Sequence, residues 1–301
     1  MAAFAFFLSS LEVALAYAPV TIALGLAFRV ANYPDLTAEG AFMLAGACAV
    51  AVQNMSGNPL VSVAAGLLAG AMAGMLTAAA HTVFGVSKLL SGLITTAIAY
   101  SVALRVLGGR ANAVMQDGSP LLRGEHTPSR VTIIAALLAV GTVIYLGIWW
   151  LFRSRAGKHL RAFGDSSRFA ESLGTSPRIM IFLALSVSGA LIGTAGSIQA
   201  HLNGAFDVNM AFGILVSGLA SLVLGEAMFT TRSISAFFAT CFVGTWFYCL
   251  AVGAFYFLTG NNRLSFFTES DVRLITGLIL LGATTLTRRA PAKYRLFASE
   301  W

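Results

Sequence analysis

The sequence predicts an all-α, polytopic transmembrane helical bundle of about nine spans, within a range of about eight to ten. Three observations carry that prediction. Hydrophobic residues fill 57% of the 301 positions and charged residues only 10%, with a mean hydropathy of +0.81. Soluble domains carry about 25% charged residues, so a soluble fold of this length has nowhere to hide so much apolar surface. Second, apolar runs recur along the whole chain, separated by short polar turns. Third, six of the nineteen Lys and Arg residues lie between Phe152 and Arg178, and the tail holds four more. Such clustering marks cytoplasmic segments of a membrane protein, so the net charge of +7 does not indicate nucleic-acid binding. The chain reads as one transmembrane domain, 1–301, with the loop 152–178 inside it.

The first span covers Phe6 to Phe28, with Glu12 near the bilayer entry and Arg29 closing it. The apolar N-terminus lacks a basic leader region and reads as the lead-in to this span. Between Asn32 and Gly40 the chain is too polar for a lipid-facing helix. Pro34 cannot continue a helix, Asp35 or Thr37 can cap a new one, and Glu39 falls in its first turn, where the helix dipole favours an anion. Two readings stay open: a plain capped turn, or a broken helix lining a central cavity. The second span is Ala41 to Val52. The third, Leu60 to Ala80, is dense in Gly and Ala, which lets helices approach closely. His81, read as interfacial, and Lys88 mark the return to the basic side. In the fourth span, Ser91 to Leu107, the hydroxyls of Thr95, Thr96, Tyr100 and Ser101 either bond across helices or line a solute path. After the Gly108–Arg130 loop, the fifth span, Val131 to Leu151, ends in Trp149 and Trp150 at the interface.

Beyond the basic loop, the sixth span runs from Ile179 to Gln199. A second polar break, His201 to Gly213, carries Asn203, Gly204, Asp207 and Asn209. The seventh span is Ile214 to Phe229, with Glu226 near its end; the eighth is Ile234 to Leu258 and the ninth Val272 to Leu286. With spans alternating, the two breaks face opposite sides of the membrane, as an inverted repeat of broken helices requires. Placing the basic loop and the C-terminus inside puts the N-terminus outside. Inside segments then hold thirteen Lys and Arg and outside segments six, the asymmetry that the positive-inside rule demands.

The chain has no phosphate-binding GxxxxGK[ST] loop, no HExxH, no CxxC and no GxSxG elbow. Cys48, Cys241 and Cys249 sit in apolar runs without metal spacing. Ion-coupled transporters and proton pumps place ionisable residues deep in several spans, whereas only Glu12 and Glu226 come close here. The composition therefore describes a non-catalytic, passive pathway whose energy comes from elsewhere. A long basic loop of short helices is what docking to a separate motor needs. A secondary transporter or channel working without such a partner is the alternative.

The segment GKHLRAFGDSSRFAESLGTSPRIMIFLALSVSGALIGTAGS resembles the loop and following span of bacterial ABC importer permeases of the branched-chain amino acid and ribose type. The matching positions are Gly157, Arg161, Ala162, Gly164, Asp165, Ala170, Leu173 and Gly174. The resemblance continues in NYPDLTAEGAFMLAGA, SKLLSGLITTAIAYSVALRVLGGR and GLASLVLGEAMF, the last two most similar to the tryptophan/tyrosine and uncharacterised transport permeases. The NYPDL turn and TAEG depart from the asparagine–phenylalanine–histidine–glycine version of branched-chain permeases, so their substrate does not carry over. The resemblance implies that the eight loop residues form a coupling region inserting into a cleft on an ATPase subunit. It further implies two ATPase subunits carrying ATP and Mg, with no cofactor on this chain. A second permease chain, identical or homologous, and a periplasmic or lipid-anchored solute-binding protein complete the assembly in a bacterial inner membrane. The solute path would follow the second, fourth and seventh spans. Its candidate residues are Asp35, Thr37, Glu39, Gly40, Thr95, Thr96, Tyr100, Asn203 and Glu226.

Overall fold

The computed structural model describes residues 2–116, 130–172, 174–229, 234–260 and 272–289. Leu173, most of the Gly108–Arg130 loop, Arg232, the Gly260–Asp271 loop beyond its first residue and the basic tail past Arg289 lie outside the described residues.

The helices are α1 (Ala2–Leu24), α2 (Ala38–Ser56), α3 (Pro59–Thr82), α4 (Lys88–Val106), α5 (Arg130–Arg153), α6 (Arg155–Asp165), α7 (Ser167–Ser172), α8 (Pro177–Asn203), α9 (Ile214–Met228), α10 (Ile234–Gly260) and α11 (Val272–Arg289). Among the described residues seven stretches, within α1, α3, α4, α5, α8, α9 and α10 and their extensions, are long and apolar enough to cross a membrane. α2, the expected second span, carries Glu39 and a polar C-terminal turn. Its apolar residues are buried along nearly its whole length, so it is a core helix shielded by its neighbours. The apolar stretch Leu274–Thr285 of α11 is shorter than these, so the expected count of about nine spans is approximate.

The two polar breaks organise this bundle into halves with matching connections. α1, a break, α2, α3 and α4 form the first; α8, a break, α9, α10 and α11 form the second. α3 packs on α8 as α10 packs on α1, and α2 meets α8 as α9 meets α1. α1 and α8 touch where the halves join. Because α5 alone adds a crossing between the halves, α8 runs opposite to α1, and the contact pattern is that of an inverted repeat.

Lipid offers no hydrophobic drive for helix association, so close backbone packing has to supply it. The seam between α3 and α8 shows how. A Cβ at Gly70 would overlap the Gly189 carbonyl oxygen, one at Gly74 the Leu185 carbonyl, and one at Gly193 the Gly66 carbonyl. No side chain larger than hydrogen fits at these crossings.

Both breaks differ in detail from expectation. α1 ends in a turn of π-helix, Gly25–Val30, closed by bonds from the Ala31 N–H to the Leu26 carbonyl and the Tyr33 N–H to the Ala27 carbonyl. Asn32 then takes a positive φ of 48°. Thr37 precedes α2 but its hydroxyl does not cap it, because that hydroxyl bonds the Thr77 hydroxyl at 2.6 Å. On the other side α8 continues through His201 to Asn203 and stops at Gly204, whose φ of 66° suits glycine. The chain then forms a three-residue strand, β2 (Ala205–Asp207), antiparallel to β1 (Asn112–Val114), followed by a turn of 3₁₀-helix over Val208–Ala211. The strand pairing satisfies irregular backbone that lies against the bundle, where water is scarce.

Gly70→Val is expected to lower stability by about 1–3 kcal/mol, the usual cost of overpacking. Gly141→Val on α5, where a Cβ meets open space, is expected to leave it unchanged. Thermal unfolding of the detergent-purified variants checks both.

Candidate functional site: the basic loop and the two breaks

The loop after α5 is short-helical and amphipathic, as its charge pattern requires. Ser154 precedes α6 and its hydroxyl accepts from the Gly157 N–H at 3.3 Å, the expected N-cap bond. Leu160 and Ala170 are fully buried, while Arg155, Lys158, Arg161, Asp165 and Arg168 are exposed. Gly174, with a φ of 75°, turns the chain after α7, and the Thr175 N–H bonds the Ala170 carbonyl at 3.0 Å. The Thr175 and His159 side chains meet at 2.6 Å, clamping α6 to the approach of α8. One face of the loop is thus packed on the bundle and the other presents cations to solvent.

Two glycines set how closely the loop sits. A Cβ at Gly157 would overlap the Leu151 carbonyl oxygen, and one at Gly164 would overlap the Val30 carbonyl at the end of the π-helix. Ala162 is half-buried beside these contacts. Of the eight residues carried by the resemblance, Gly157, Gly164 and Ala170 face the bundle, and Arg161, Asp165 and Gly174 face out. The division follows helical periodicity.

The π-helix links the loop to the second half of the bundle. Arg29 donates from Nε and Nη2 to the two carboxylate oxygens of Glu226 at 2.8 and 2.7 Å, a bidentate pair across 197 positions of sequence. Each side chain is about a quarter exposed, 24% and 23%. Charge patterning alone marked Arg29 as a topological signal and Glu226 as a path residue; only the fold joins them. Beside them the Tyr33 hydroxyl meets Ser91 at 2.9 Å, and Lys88 lies over the Tyr33 ring at 5.4 Å. His81 packs edge-on to the same ring. This end of the first break is therefore closed by an aromatic and a cation.

The remaining path candidates divide between the breaks. Asp35 is 1% exposed and accepts from the Thr37 N–H at 2.9 Å. Burial pushes its carboxyl above the usual carboxylate range, against hydrogen bonds from Thr37 and Ser188 that pull it down. Thr95 donates to the Ser91 carbonyl and Thr96 to the Leu36 carbonyl. A Cβ at Gly40 would come within 2.7 Å of the Thr96 Cα, so that glycine allows α4 to pack on α2. Glu39 does more: its carboxylate accepts from the Gly213 N–H at 2.9 Å, at the start of α9. The second break therefore dips into the bundle and meets the first turn of α2. Tyr100 lies 6.5 Å from Phe212 in the same region. Asn203 stays at the far end, bonded to Gln199.

A cavity of about 1160 Å³ lies between α1, α9, α10 and α11. None of the nine path candidates lines it. Its polar wall was legible in principle as hydroxyls at helical spacing, Ser10–Tyr17–Thr21 and Ser217–Ser221. A second feature outside the expectations is buried at the opposite end from the basic loop, where Ser62 bonds both the Ala49 carbonyl and His201 Nε2. Among the described residues the Gln53 side chain and His201 Nδ1 have no partner there, and a buried water is the ordinary way to satisfy such groups.

Replacing Arg29 or Glu226 by Ala is expected to cost about 1.5–3 kcal/mol each, the range for a hydrogen bond to a charged group. The double replacement should cost little more than either single one, since the two share one interaction. A thermal-unfolding double-mutant cycle measures the coupling.

Known proteins resemble the chain over most of its length. A tyrosine transport system permease protein of Clostridioides difficile (strain R20291) is 30% identical over 257 residues, covering 85% of this chain and 82% of that one. An uncharacterized protein of Rickettsia prowazekii (strain Madrid E) is 23% identical, covering 94% and 98%. The ribose import permease protein RbsC of Escherichia coli (strain K12) is 25% identical, covering 64% and 60%. No solved structure matches the chain. The family model described as branched-chain amino acid transport system / permease component matches residues 7–284, and with nine tenths of its length inside that match the chain belongs to this family of polytopic helical membrane permeases.

Proposed function

We propose that this permease is the membrane subunit of an ATP-binding-cassette importer and forms the path for a small solute, an amino acid or a molecule of similar size. The observation that carries the reading is the α6–α7 element: its apolar face is packed on the bundle and its exposed face holds Arg155, Lys158, Arg161 and Arg168. That is the form of a docking surface, and Arg161, central and exposed, is its principal contact. Two ATPase subunits carrying ATP and Mg dock there, one on each of two permease chains, which are identical or homologous. The loop and the C-terminus lie in the cytoplasm, the N-terminus lies outside, and the membrane is the bacterial inner membrane. A periplasmic or lipid-anchored binding protein delivers the solute to the opposite face.

Gly164 against Val30, and Arg29 against Glu226, supply the route by which docking reaches the spans. A shift of α6 pushes the π-helix, and the ion pair carries that push to α9. A π-turn within a helix is a frequent mark of function. The two breaks meet through Glu39 and Gly213, so movement of α9 also reaches α2. No residue of this chain performs covalent chemistry in the scheme.

Arg161→Glu is expected to leave membrane insertion intact while uptake falls at least about tenfold, a loss of about 1.4 kcal/mol in productive docking. Parallel ATPase and uptake assays in proteoliposomes test it, and unchanged uptake overturns the assignment of Arg161. The importer reading itself predicts that a tagged chain co-purifies with an ATPase subunit when neighbouring genes are co-expressed. Consistent failure to do so overturns it.

A further inference from the structure

Three helices bring polar side chains together where α2 ends, α3 begins and α8 stops. Gln53 follows Ala49 by four residues on α2, so the two share a face of that helix. Ser62 stands in the first turn of α3, and His201 in the last turn of α8. Gln53, Ser62 and His201 are each at most 1% exposed. The next residue of α2, Asn54, fastens the end of β1 to the same turn. Its amide nitrogen donates to the Val114 carbonyl at 3.1 Å, and its oxygen accepts from the Gln116 N–H at 2.9 Å.

Ser62 decides where the proton of His201 sits. The Ser62 oxygen lies 2.7 Å from the Ala49 carbonyl oxygen, and a carbonyl has no proton to give, so the hydroxyl hydrogen points there. A hydroxyl has one proton, so toward His201 Nε2, at 3.0 Å, the same oxygen can only accept. Nε2 therefore carries the imidazole hydrogen. A second hydrogen, on Nδ1, would create a buried cation, and among the described residues no carboxylate pairs with His201. The ring is thus neutral, with a bare acceptor at Nδ1. That acceptor and both polar atoms of the Gln53 amide are buried without a partner among the described residues. Their occupant must be small enough to be enclosed, must donate to an imidazole nitrogen and must bond an amide. Water does all three, with two protons and two lone pairs, and buried waters typically make about three hydrogen bonds. We infer that a water molecule bound between His201 Nδ1 and the Gln53 amide pins α2 to α8, with Ser62 holding His201 as its Nε2–H tautomer. The hydrogen bonds then run from the Ala49 carbonyl through Ser62, His201 and the water to Gln53, leaving α2 and returning to it one turn later. The strand pair that leads into the second break rests on this pinned turn through Asn54.

Magic-angle-spinning NMR of the full chain in lipid bilayers, isotopically labelled at histidine and at the glutamine side chains, tests the site. The chain has four histidines. The His201 signals are those lost in His201→Asn, or those reached by sequential backbone assignment if that variant does not fold. One protonated and one bare ring nitrogen are expected, with the proton on Nε2 and magnetisation passing from water to Nδ1. A proton on Nδ1, alone or together with one on Nε2, overturns the inference. So does a bare Nδ1 that receives nothing from water, or one that couples directly to the Gln53 side-chain nitrogen. Gln53→Leu removes the second anchor of the water and should weaken the transfer to Nδ1 severalfold; transfer at full strength overturns the bridge. Ser62→Ala removes the group that dictates the tautomer, so both neutral ring forms should become populated. A pure Nε2–H form in that variant overturns the role given to Ser62. The unsubstituted chain alone decides the tautomer and the water contact. The measurement needs no ATPase or binding protein, so its outcome is independent of the importer reading.

Discussion

Close backbone contact between α3 and α8 is the constraint on which the rest of the bundle depends. In a bilayer the surrounding lipid is as apolar as the side chains, so burying leucine gains little. Gly66, Gly70 and Gly74 on one helix and Gly189 and Gly193 on the other let the two backbones touch. Dispersion then acts across many atom pairs at short range. With α3 and α8 fixed, α2 is enclosed between them and buried along nearly its whole length. That burial lets α2 carry Glu39 and end in a polar turn without facing lipid.

Enclosing α2 determines what the two breaks can do. Irregular backbone is tolerated at membrane depth only where protein or water satisfies it. The first break satisfies itself through Asp35, which accepts from the Thr37 N–H, and through Thr37 and Tyr33, which bond to neighbours in α3 and α4. The second uses a short strand pair and then the Glu39 carboxylate at Gly213. That hydrogen bond ties the first turn of α2 to the second break, two segments distant in sequence. The π-helix at the end of α1 extends this connection to the loop face through Val30 and Gly164.

Much of the fold was legible before any coordinates. Apolar runs, Gly/Ala seams and both polar breaks lie where the sequence places them, because lipid imposes a simple rule on composition along a span. The cationic face of α6 was legible for the same reason: Leu160 and Gly157 alternate with Arg155, Lys158 and Arg161 at helical spacing. The hydroxyls of α4 were harder to read. Thr95 and Thr96 have the composition of a solute path, and in the fold each also donates to a backbone carbonyl. A hydroxyl that satisfies a carbonyl and one that meets a solute leave the same trace in sequence.

By itself the sequence determined the class of protein, the span pattern and the basic amphipathic loop, since each depends on local composition and on periods of a few residues. Only the tertiary structure decided the pairings. Arg29 with Glu226, Glu39 with Gly213, and Gly164 with Val30 join positions well over a hundred residues apart in each case. Their partners are chosen by which helices the glycine seams allow to touch. The cavity belongs to the same category, because its wall takes residues from four helices and exists only where packing leaves space. Local chemistry specified what each helix is; contact between backbones specified what each helix meets.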